Sequence, residues 1–204
     1  MVIERTTFYF EKPGEQNTEE VLKIAKDTAV ERGLETVLVS SSRGVTGIKA
    51  ANIFKGTGIK LIVVSHQTGY RDPGVQLLTE ENRKKLEQQG VKILTSTDVL
   101  TGGVDIGMAR VRTPSDVTSV ARVPSILPPV PTIVANTLRL FCQGVKVCVE
   151  IAMMAADAGI IPVDKSILCV AGSHAGADTA VLLIPSTSNR MLDLKVLEVV
   201  ARPL

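Results

Sequence analysis

Two histidines are the residues of this chain best suited to acid–base chemistry, because an imidazole gains or loses its proton near neutral pH. His66 directly follows the apolar segment 59–65, and His174 follows the apolar segment 166–171 and a Gly-Ser pair. Taken singly, each is more often a hydrogen-bonded structural residue than a catalyst. Both nevertheless come just after a predicted buried strand, which indicates that the two imidazoles approach the same edge of a sheet.

A second polar cluster, SSSRGVTG at 40–47, has the composition of an anion-binding turn. Small residues let backbone N–H groups approach a ligand, the start of a helix adds a partial positive charge, and Arg43 adds a permanent one. The same serines would also serve as ordinary helix N-caps. The spacing matches neither GxGxxG nor GxxxxGK[ST], so it does not support a dinucleotide fingerprint or a P-loop. A phosphate site of another kind is our hypothesis for this segment.

The other polar residues that follow strands are expected to share this site, since ligands of an open parallel sheet bind beyond the carboxyl ends of its strands. Asp98, after the fourth strand, and Asp178, which could orient or ionise a neighbour, lie close by in the sequence. We predict that the ligand-binding residues are Asn17, Ser40, Ser41, Ser42, Arg43, Gly44, Thr46, Gly47, His66, Gln67, Thr68, Gly69, Gly102, Gly103, Ser173 and His174. No residue is assigned a catalytic role at this point.

Hydrophobic patterning predicts the elements that position these residues. Strands are predicted at 6–10, 36–40, 59–65, 91–95, 166–171, 179–184 and 194–201, and helices alternate with the first four. Asn17 or Thr18 is expected to cap the first helix, with Glu20 in capping-box spacing after Asn17. The stretch 132–161 is predicted to be one buried helix interrupted at Gly144, after an irregular excursion over 110–131. The pattern predicts a single α/β domain over 1–204, a three-layer α/β/α sandwich with a mainly parallel sheet whose last strand is an antiparallel edge.

Composition excludes several classes of function. The net charge of +2 and the scarcity of aromatic residues argue against nucleic-acid binding. Charged residues interrupt the longest apolar stretch, 132–161, which argues against a membrane span. Three cysteines without CxxC spacing, and an N-terminus unlike a signal peptide, predict a reducing, cytoplasmic location. Two histidines and scattered carboxylates lack the spacing of a metal site, so no metal is expected. The apolar helix at 132–158 predicts a homo-oligomer.

The segment Thr18–Thr68 resembles the C-terminal α/β domain of pyruvate kinase. The stretch that carries the resemblance is VLVSSSRGVTGIKAANIFKGTGIKLIVVS, a strand, a Ser-rich loop with glycine, a helix and an apolar strand. The whole chain is similar to small stand-alone proteins of that fold, found mainly in archaea and some bacteria, through NTEEVL, SSSRGVTG, HQTGYRDPG, LTGGVDIGMAR and AGSHAGADT. The catalytic barrel of pyruvate kinase is absent, so phosphoryl transfer from phosphoenolpyruvate does not follow.

The resemblance implies that the Ser/Thr loop holds a phosphate, at the matching positions Ser40, Ser41, Ser42, Arg43, Gly44 and Thr46. It further implies flavin mononucleotide (FMN) or a similar phosphorylated ligand as the cofactor. Three readings then stand side by side. The first is a module that binds a phosphorylated small molecule, the second a flavin-dependent oxidoreductase that uses the same pocket, and the third an assembly subunit.

Overall fold

The computed structural model describes residues 2–103, 110–112, 120–122 and 128–204. The helices are α1 (Thr18–Glu31), α2 (Val45–Ile53), α3 (Glu80–Gln88), α4 (Val130–Arg139) and α5 (Gln143–Asp157). The strands are β1 (Phe8–Phe10), β2 (Thr36–Ser40), β3 (Lys60–His66), β4 (Lys92–Ser96), β5 (Arg110–Arg112), β6 (Val120–Arg122), β7 (Ile167–Ala171), β8 (Thr179–Ile184) and β9 (Lys195–Pro203). A 3₁₀ turn occupies Glu15–Asn17, and two 3₁₀ turns joined by a kink at Arg190 occupy Ser188–Asp193. Residues 104–109 of the motif LTGGVDIGMAR, and much of the segment predicted to be irregular at 110–131, lie outside the described residues.

One seven-stranded sheet organises the chain, in the order β1-β9-β8-β7-β2-β3-β4. The pairs β2–β3, β2–β7, β3–β4 and β1–β9 are parallel, whereas β8 is antiparallel to both of its neighbours. The predicted α/β class and mainly parallel sheet are therefore confirmed. The prediction that the last strand forms an edge is wrong, because β1 pairs along the outer side of β9. A strand's own residues show its burial but do not identify the neighbour that covers it.

Helices cover both faces of this sheet, and the alternation along β2 explains why. Val37 and Val39 point to a core that contains residues of α1, α2 and α3. Leu38, between them, points to the opposite core, which contains Cys148 and Ile151 of α5. Successive side chains of a strand point to opposite faces, so an unbroken apolar run needs cover on both sides. The layers are therefore helix, sheet and helix.

The long apolar stretch of the second half is two helices rather than one. Arg139 ends α4, Gln143 begins α5, and the side-chain sulfur of Cys142 accepts a hydrogen bond from the Val145 amide at the new helix start. Gly144 does not interrupt a helix. It lies in the first turn of α5, where a Cβ would be 2.0 Å from Oγ1 of Thr179, so it permits close approach to β8.

Nearly every residue of α5 is buried within its own chain, against the sheet and against α4. The apolar composition of α5 is therefore explained without a second copy of the chain. In the rest of the predicted stretch Ile133, Leu140 and Phe141 are exposed, so the homo-oligomer stays a prediction. Among the helices of the described ranges, none is both long enough and apolar enough to cross a bilayer.

Candidate functional site

The loops after β7, β2, β3 and β4 share one edge of the sheet, which we call the carboxyl rim. These four strands are consecutive neighbours and run in the same direction. Adjacent strands are about 4.8 Å apart, so the ends of β7 and β3, which flank β2, are separated by about 10 Å. The loop after β1 reaches the same rim, because the Gly14 amide donates a hydrogen bond to Asp178 at the end of the β7 loop. Topology thus assigns each predicted site residue to a loop at this rim.

The loop after β2 is fixed by buried contacts that the sequence does not show. Ser41 is buried, and its hydroxyl accepts a hydrogen bond from the Gly47 amide in the first turn of α2. Gly44 has φ of 91°, and a Cβ there would lie 2.7 Å from Leu78, so the left-handed conformation and the lack of space both require glycine. The Asn82 side chain donates to the Arg43 carbonyl from α3.

Several donors of this loop remain available at the start of α2. Within the described ranges, the side chains of Ser42, Arg43 and Thr46 form no hydrogen bond or ion pair, and neither do the backbone amides of Val45 and Thr46. These amides are the first two of the helix, which have no carbonyl partner inside it. The loop therefore presents a guanidinium, hydroxyls and helix-start amides while Ser41 holds its shape.

His66 meets a carboxylate from the next strand along the sheet. Its Nδ1 lies 2.9 Å from Oδ1 of Asp98, which is 4% exposed, and the His66 side chain itself is 26% exposed. The ring of Tyr70 stacks on the imidazole, with centroids 3.8 Å apart and planes 8° from parallel. The strand register explains the first contact, because His66 is paired with Ser96 and Asp98 comes two residues later.

The His66–Asp98 pair lies at the ends of two neighbouring strands, β3 and β4, from which the chain continues to opposite faces of the sheet. The loop after β3 leads to α3 on one face, whereas the loop after β4 (97–103, the β4 loop) packs on the other face, with Leu100 against Val149 and Met153 of α5. Such a divergence between neighbouring parallel strands opens a crevice and is where ligands of doubly wound sheets bind.

A buried ion pair of α5, which the sequence analysis treated merely as an interruption, anchors the β4 loop. Glu150 accepts hydrogen bonds from the amides of Leu100, at 2.9 Å, and Thr101, at 3.0 Å. Lys146 pairs with Glu150 and donates to the Thr101 hydroxyl at 2.7 Å. Both charged residues are at most 3% exposed. Opposite charges spaced i,i+4 inside an otherwise apolar helix were the signal in the sequence.

The loop after β7 (172–178, the β7 loop) is anchored by its own carboxylate. Asp178 is fully buried and accepts hydrogen bonds from the amides of Gly14 and Ser173 and from the Thr179 hydroxyl. His174 is exposed near the loop tip. Asp178 therefore stabilises the fold of this loop. In the described part of the chain, no group of three His, Cys, Asp or Glu side chains is placed to hold a metal ion.

The start of α1 is tied to this loop, and the predicted capping box does not form. The Thr18 hydroxyl accepts from the Ala177 amide and donates to the Glu15 carbonyl, within a 3₁₀ turn that precedes the helix. The Asn17 side chain donates backward to the Lys12 carbonyl at 2.7 Å. Contacts with the β7 loop therefore replace local capping.

The remaining predicted residues have mixed surroundings. Thr68 accepts a hydrogen bond from Gln76, which also donates to the His66 carbonyl, and Gly69 has the positive φ of a turn. Gln67 holds a buried side-chain oxygen without a hydrogen-bond donor among the described residues. Gly102 packs on Asp98, because a Cβ there would lie 2.7 Å from the Asp98 carbonyl oxygen. Gly103 has φ of 79°.

Two surface cavities lie at the opposite edge of the sheet, around the amino ends of the strands. One, of about 530 Å³, lies between the ends of α2 and α3 and is lined by Lys55, Lys60 and Gln89 among others. The other, of about 400 Å³, is lined by residues such as Arg32, Glu35 and Lys165. None of the predicted ligand-binding residues lines either cavity.

The cysteines are packing residues rather than a redox centre. Cys148 and Cys169 are fully buried, and burial raises the pKa of both thiols, so they stay protonated near neutral pH. Cys142 is half-buried and caps α5.

A search of known protein families finds no model that matches this chain. The proposal for its function therefore rests on the architecture and on the residues of the carboxyl rim.

Proposed function

We propose that this protein binds a phosphorylated small molecule at the carboxyl rim, with the phosphate at the start of α2. One observation carries the proposal. The side chains of Ser42, Arg43 and Thr46 and the first amides of the helix have no partner in the described ranges, although Ser41 beside them is committed to the fold. A phosphate accepts hydrogen bonds from donors of each of these kinds.

The electrostatics of the loop favour an anion over a neutral ligand. Arg43 is exposed and carries a permanent charge, and the helix start adds a partial positive charge. Two buried carboxylates of the rim are engaged elsewhere, because Asp98 faces the imidazole of His66 and Asp178 accepts hydrogen bonds from the amides of Gly14 and Ser173. Hydrogen bonds to a charged partner contribute about 1.5–3 kcal/mol each, so two or three donors acting together give measurable affinity.

FMN is the first ligand to test, because the resemblance of the whole chain to the small stand-alone proteins of the pyruvate kinase C-terminal fold implies it. The stacked rings of His66 and Tyr70 support the choice, since a planar ring system can extend such a stack. Gln67 supplies a buried acceptor oxygen on the same loop that a ligand N–H group would satisfy.

Calorimetry with FMN, riboflavin and inorganic phosphate tests the proposal. Riboflavin lacks the phosphate, so we expect FMN to bind at least tenfold more tightly, a difference of about 1.4 kcal/mol. The double variant Ser42→Ala/Arg43→Ala should lose tenfold or more in FMN affinity and leave riboflavin binding unchanged.

Lys49→Ala is the matched control, because Lys49 is an exposed cation one turn further along α2. We expect it to change FMN affinity by less than twofold. Equal affinities for FMN and riboflavin, or equal losses in the double variant and the Lys49→Ala control, would show that the phosphate does not bind at this loop.

A further inference from the structure

We propose that His66 is a catalytic general base, positioned by Asp98, that accepts a proton from the ligand bound at the carboxyl rim. The identity of that ligand as a phosphorylated molecule rests on the proposed function above. Which ring nitrogen of His66 carries the hydrogen depends instead on the contacts of His66 itself, so the two proposals can fail separately.

The contact with Asp98 determines which nitrogen of His66 is free. A neutral imidazole donates from one nitrogen and accepts at the other. The Asp98 carboxylate is an acceptor 2.9 Å from Nδ1, so Nδ1 carries the hydrogen and Nε2 keeps its lone pair. Asp98 is almost fully buried, whereas 26% of the His66 side chain is exposed. The pair therefore has a buried orienting end and an end that a ligand can reach.

The ring is also fixed in its plane. Tyr70 stacks on it nearly parallel, and Gln76 donates to the His66 carbonyl, which closes the turn after β3. On the Asp98 side of the pair, Gly102 allows the β4 loop to fold tightly over the Asp98 backbone. Glu150 holds that loop by accepting a hydrogen bond from the Leu100 amide. A base held in one orientation avoids the cost of reorganising when the proton moves.

The imidazole is adjacent in the chain to a residue that contacts the anion-binding loop. The hydroxyl of Ser65, the residue before His66, donates to the carbonyl of Ser42 at 3.2 Å. The end of β3 is therefore one of the two strand ends next to the start of α2, and the general-base proposal requires the ligand to extend toward it. The chain also diverges between β3 and β4, the place where ligands of doubly wound sheets bind, so we infer that the free nitrogen of His66 faces the bound ligand.

The proton step follows from this geometry. An O–H, N–H or acidic C–H bond of the ligand breaks, the hydrogen forms a bond to Nε2, and the electron pair stays on the ligand atom. The imidazolium that forms faces the Asp98 carboxylate, which stabilises it. Because the side chain is partly exposed, the proton can pass from Nε2 to water or return to another ligand atom. Positioned general bases contribute about 10²–10⁴-fold to a rate.

Carbethoxylation by diethyl pyrocarbonate, followed by mass spectrometry, tests whether Nε2 is free and lies at the ligand site. The reagent attacks unprotonated imidazoles, and the chain has two histidines, so the exposed His174 is an internal control. We expect saturating FMN to slow modification of His66 at least fivefold and to leave His174 unaffected. Modification of His66 at the same rate with and without bound FMN would overturn the proposal.

Nitrogen NMR of labelled imidazoles tests the role of Asp98 in the absence of ligand. In the wild-type protein, neutral His66 should be protonated at Nδ1. In Asp98→Asn the amide can donate as well as accept, so we expect a mixture of tautomers and at least a threefold slower carbethoxylation of His66, with His174 unchanged. Protonation at Nε2 in the wild type would overturn the proposal even where FMN binds.

The two proposals are separated by these results. If FMN binds and His66 is modified at the same rate with and without it, the proposed function stands and the general-base proposal fails. If FMN does not bind in calorimetry, the proposed function fails, and the wild-type tautomer of His66 still decides whether Asp98 leaves Nε2 free to accept a proton. Should Asp98→Asn fail to fold, the wild-type tautomer and the wild-type protection experiment still decide the question.

Discussion

The β4 loop and the β7 loop form an instructive pair, because each follows a strand that pairs in parallel with a neighbour and each contains a buried aspartate. In the β7 loop, Asp178 holds the backbone together by accepting from two amides and a hydroxyl, and His174 is left exposed. In the β4 loop, Glu150 of α5 does the anchoring from outside, and Asp98 faces His66. Because Glu150 of α5 accepts the hydrogen bonds from the backbone of the β4 loop, the loop's own carboxylate, Asp98, is free to contact the imidazole of His66.

The largest expected effect comes from removing the external anchor. Glu150→Ala leaves the Lys146 ammonium buried without its counter-charge and the amides of Leu100 and Thr101 without an acceptor. Breaking a buried pair in this way costs about 3–5 kcal/mol in the free energy of unfolding. Urea denaturation measures the loss. Lys146→Met is the matched control for the charge, and the double variant Lys146→Met/Glu150→Ala should recover part of the loss, because no lone buried charge remains.

Asp178→Ala is expected to destabilise the protein somewhat less, by about 2–4 kcal/mol, because three buried or half-buried donors lose their acceptor. Asp98→Ala removes one contact, to a partly exposed imidazole, and should cost about 1 kcal/mol. Unfolding curves of the two variants compare the loops directly. Equal losses would contradict the division between an anchoring and an orienting aspartate.

The glycines of the two loops provide a smaller and more local test. A Cβ at Gly102 would lie 2.7 Å from the Asp98 carbonyl oxygen, and a Cβ at Gly172 would lie 2.7 Å from the Gly176 carbonyl oxygen. Each alanine variant should cost about 1–3 kcal/mol through crowding. Gly102→Ala should also change the nitrogen chemical shifts of His66, whereas Gly172→Ala should not. The same shift in both variants would indicate a global rearrangement instead.

The smallest expected effect is a dependence of the free energy of unfolding on pH, which comes from two buried thiols. Burial raises the pKa of Cys148, on α5, and of Cys169, on β7, so both stay protonated in the native state above the range where unfolded thiols ionise. The unfolded chain then binds fewer protons, and stability falls as pH rises toward and above the pKa of an unfolded thiol, by about 0.4 kcal/mol per thiol at pH 8.5. Unfolding at several pH values should give a flatter profile for Cys148→Ala/Cys169→Ala. An unchanged slope would contradict this assignment.

Much of the framework could be predicted from local pattern. The bounds of β2 and β8 were predicted as the structure has them, since turn residues flank each of their apolar runs. Thr79 has a side chain typical of an N-cap, and its hydroxyl does cap α3 by accepting from the Asn82 amide. The capping box at Asn17 was wrong because a distant loop supplies the partners of Thr18. A capping pattern in the sequence predicts the structure correctly where the hydrogen-bond partner lies in the same segment of the chain.

The sequence by itself determined that apolar strands alternate with helices and that histidines, serines and aspartates follow those strands. Tertiary structure decided how they are paired. The registers of β3 and β4 bring Asp98 to His66 across 32 residues, and the packing of α5 brings Glu150 to the β4 loop across 49 and 50 residues. Hydrophobic periodicity records whether a residue is buried, whereas the choice of partner for a buried carboxylate depends on which strands and helices become neighbours in the fold.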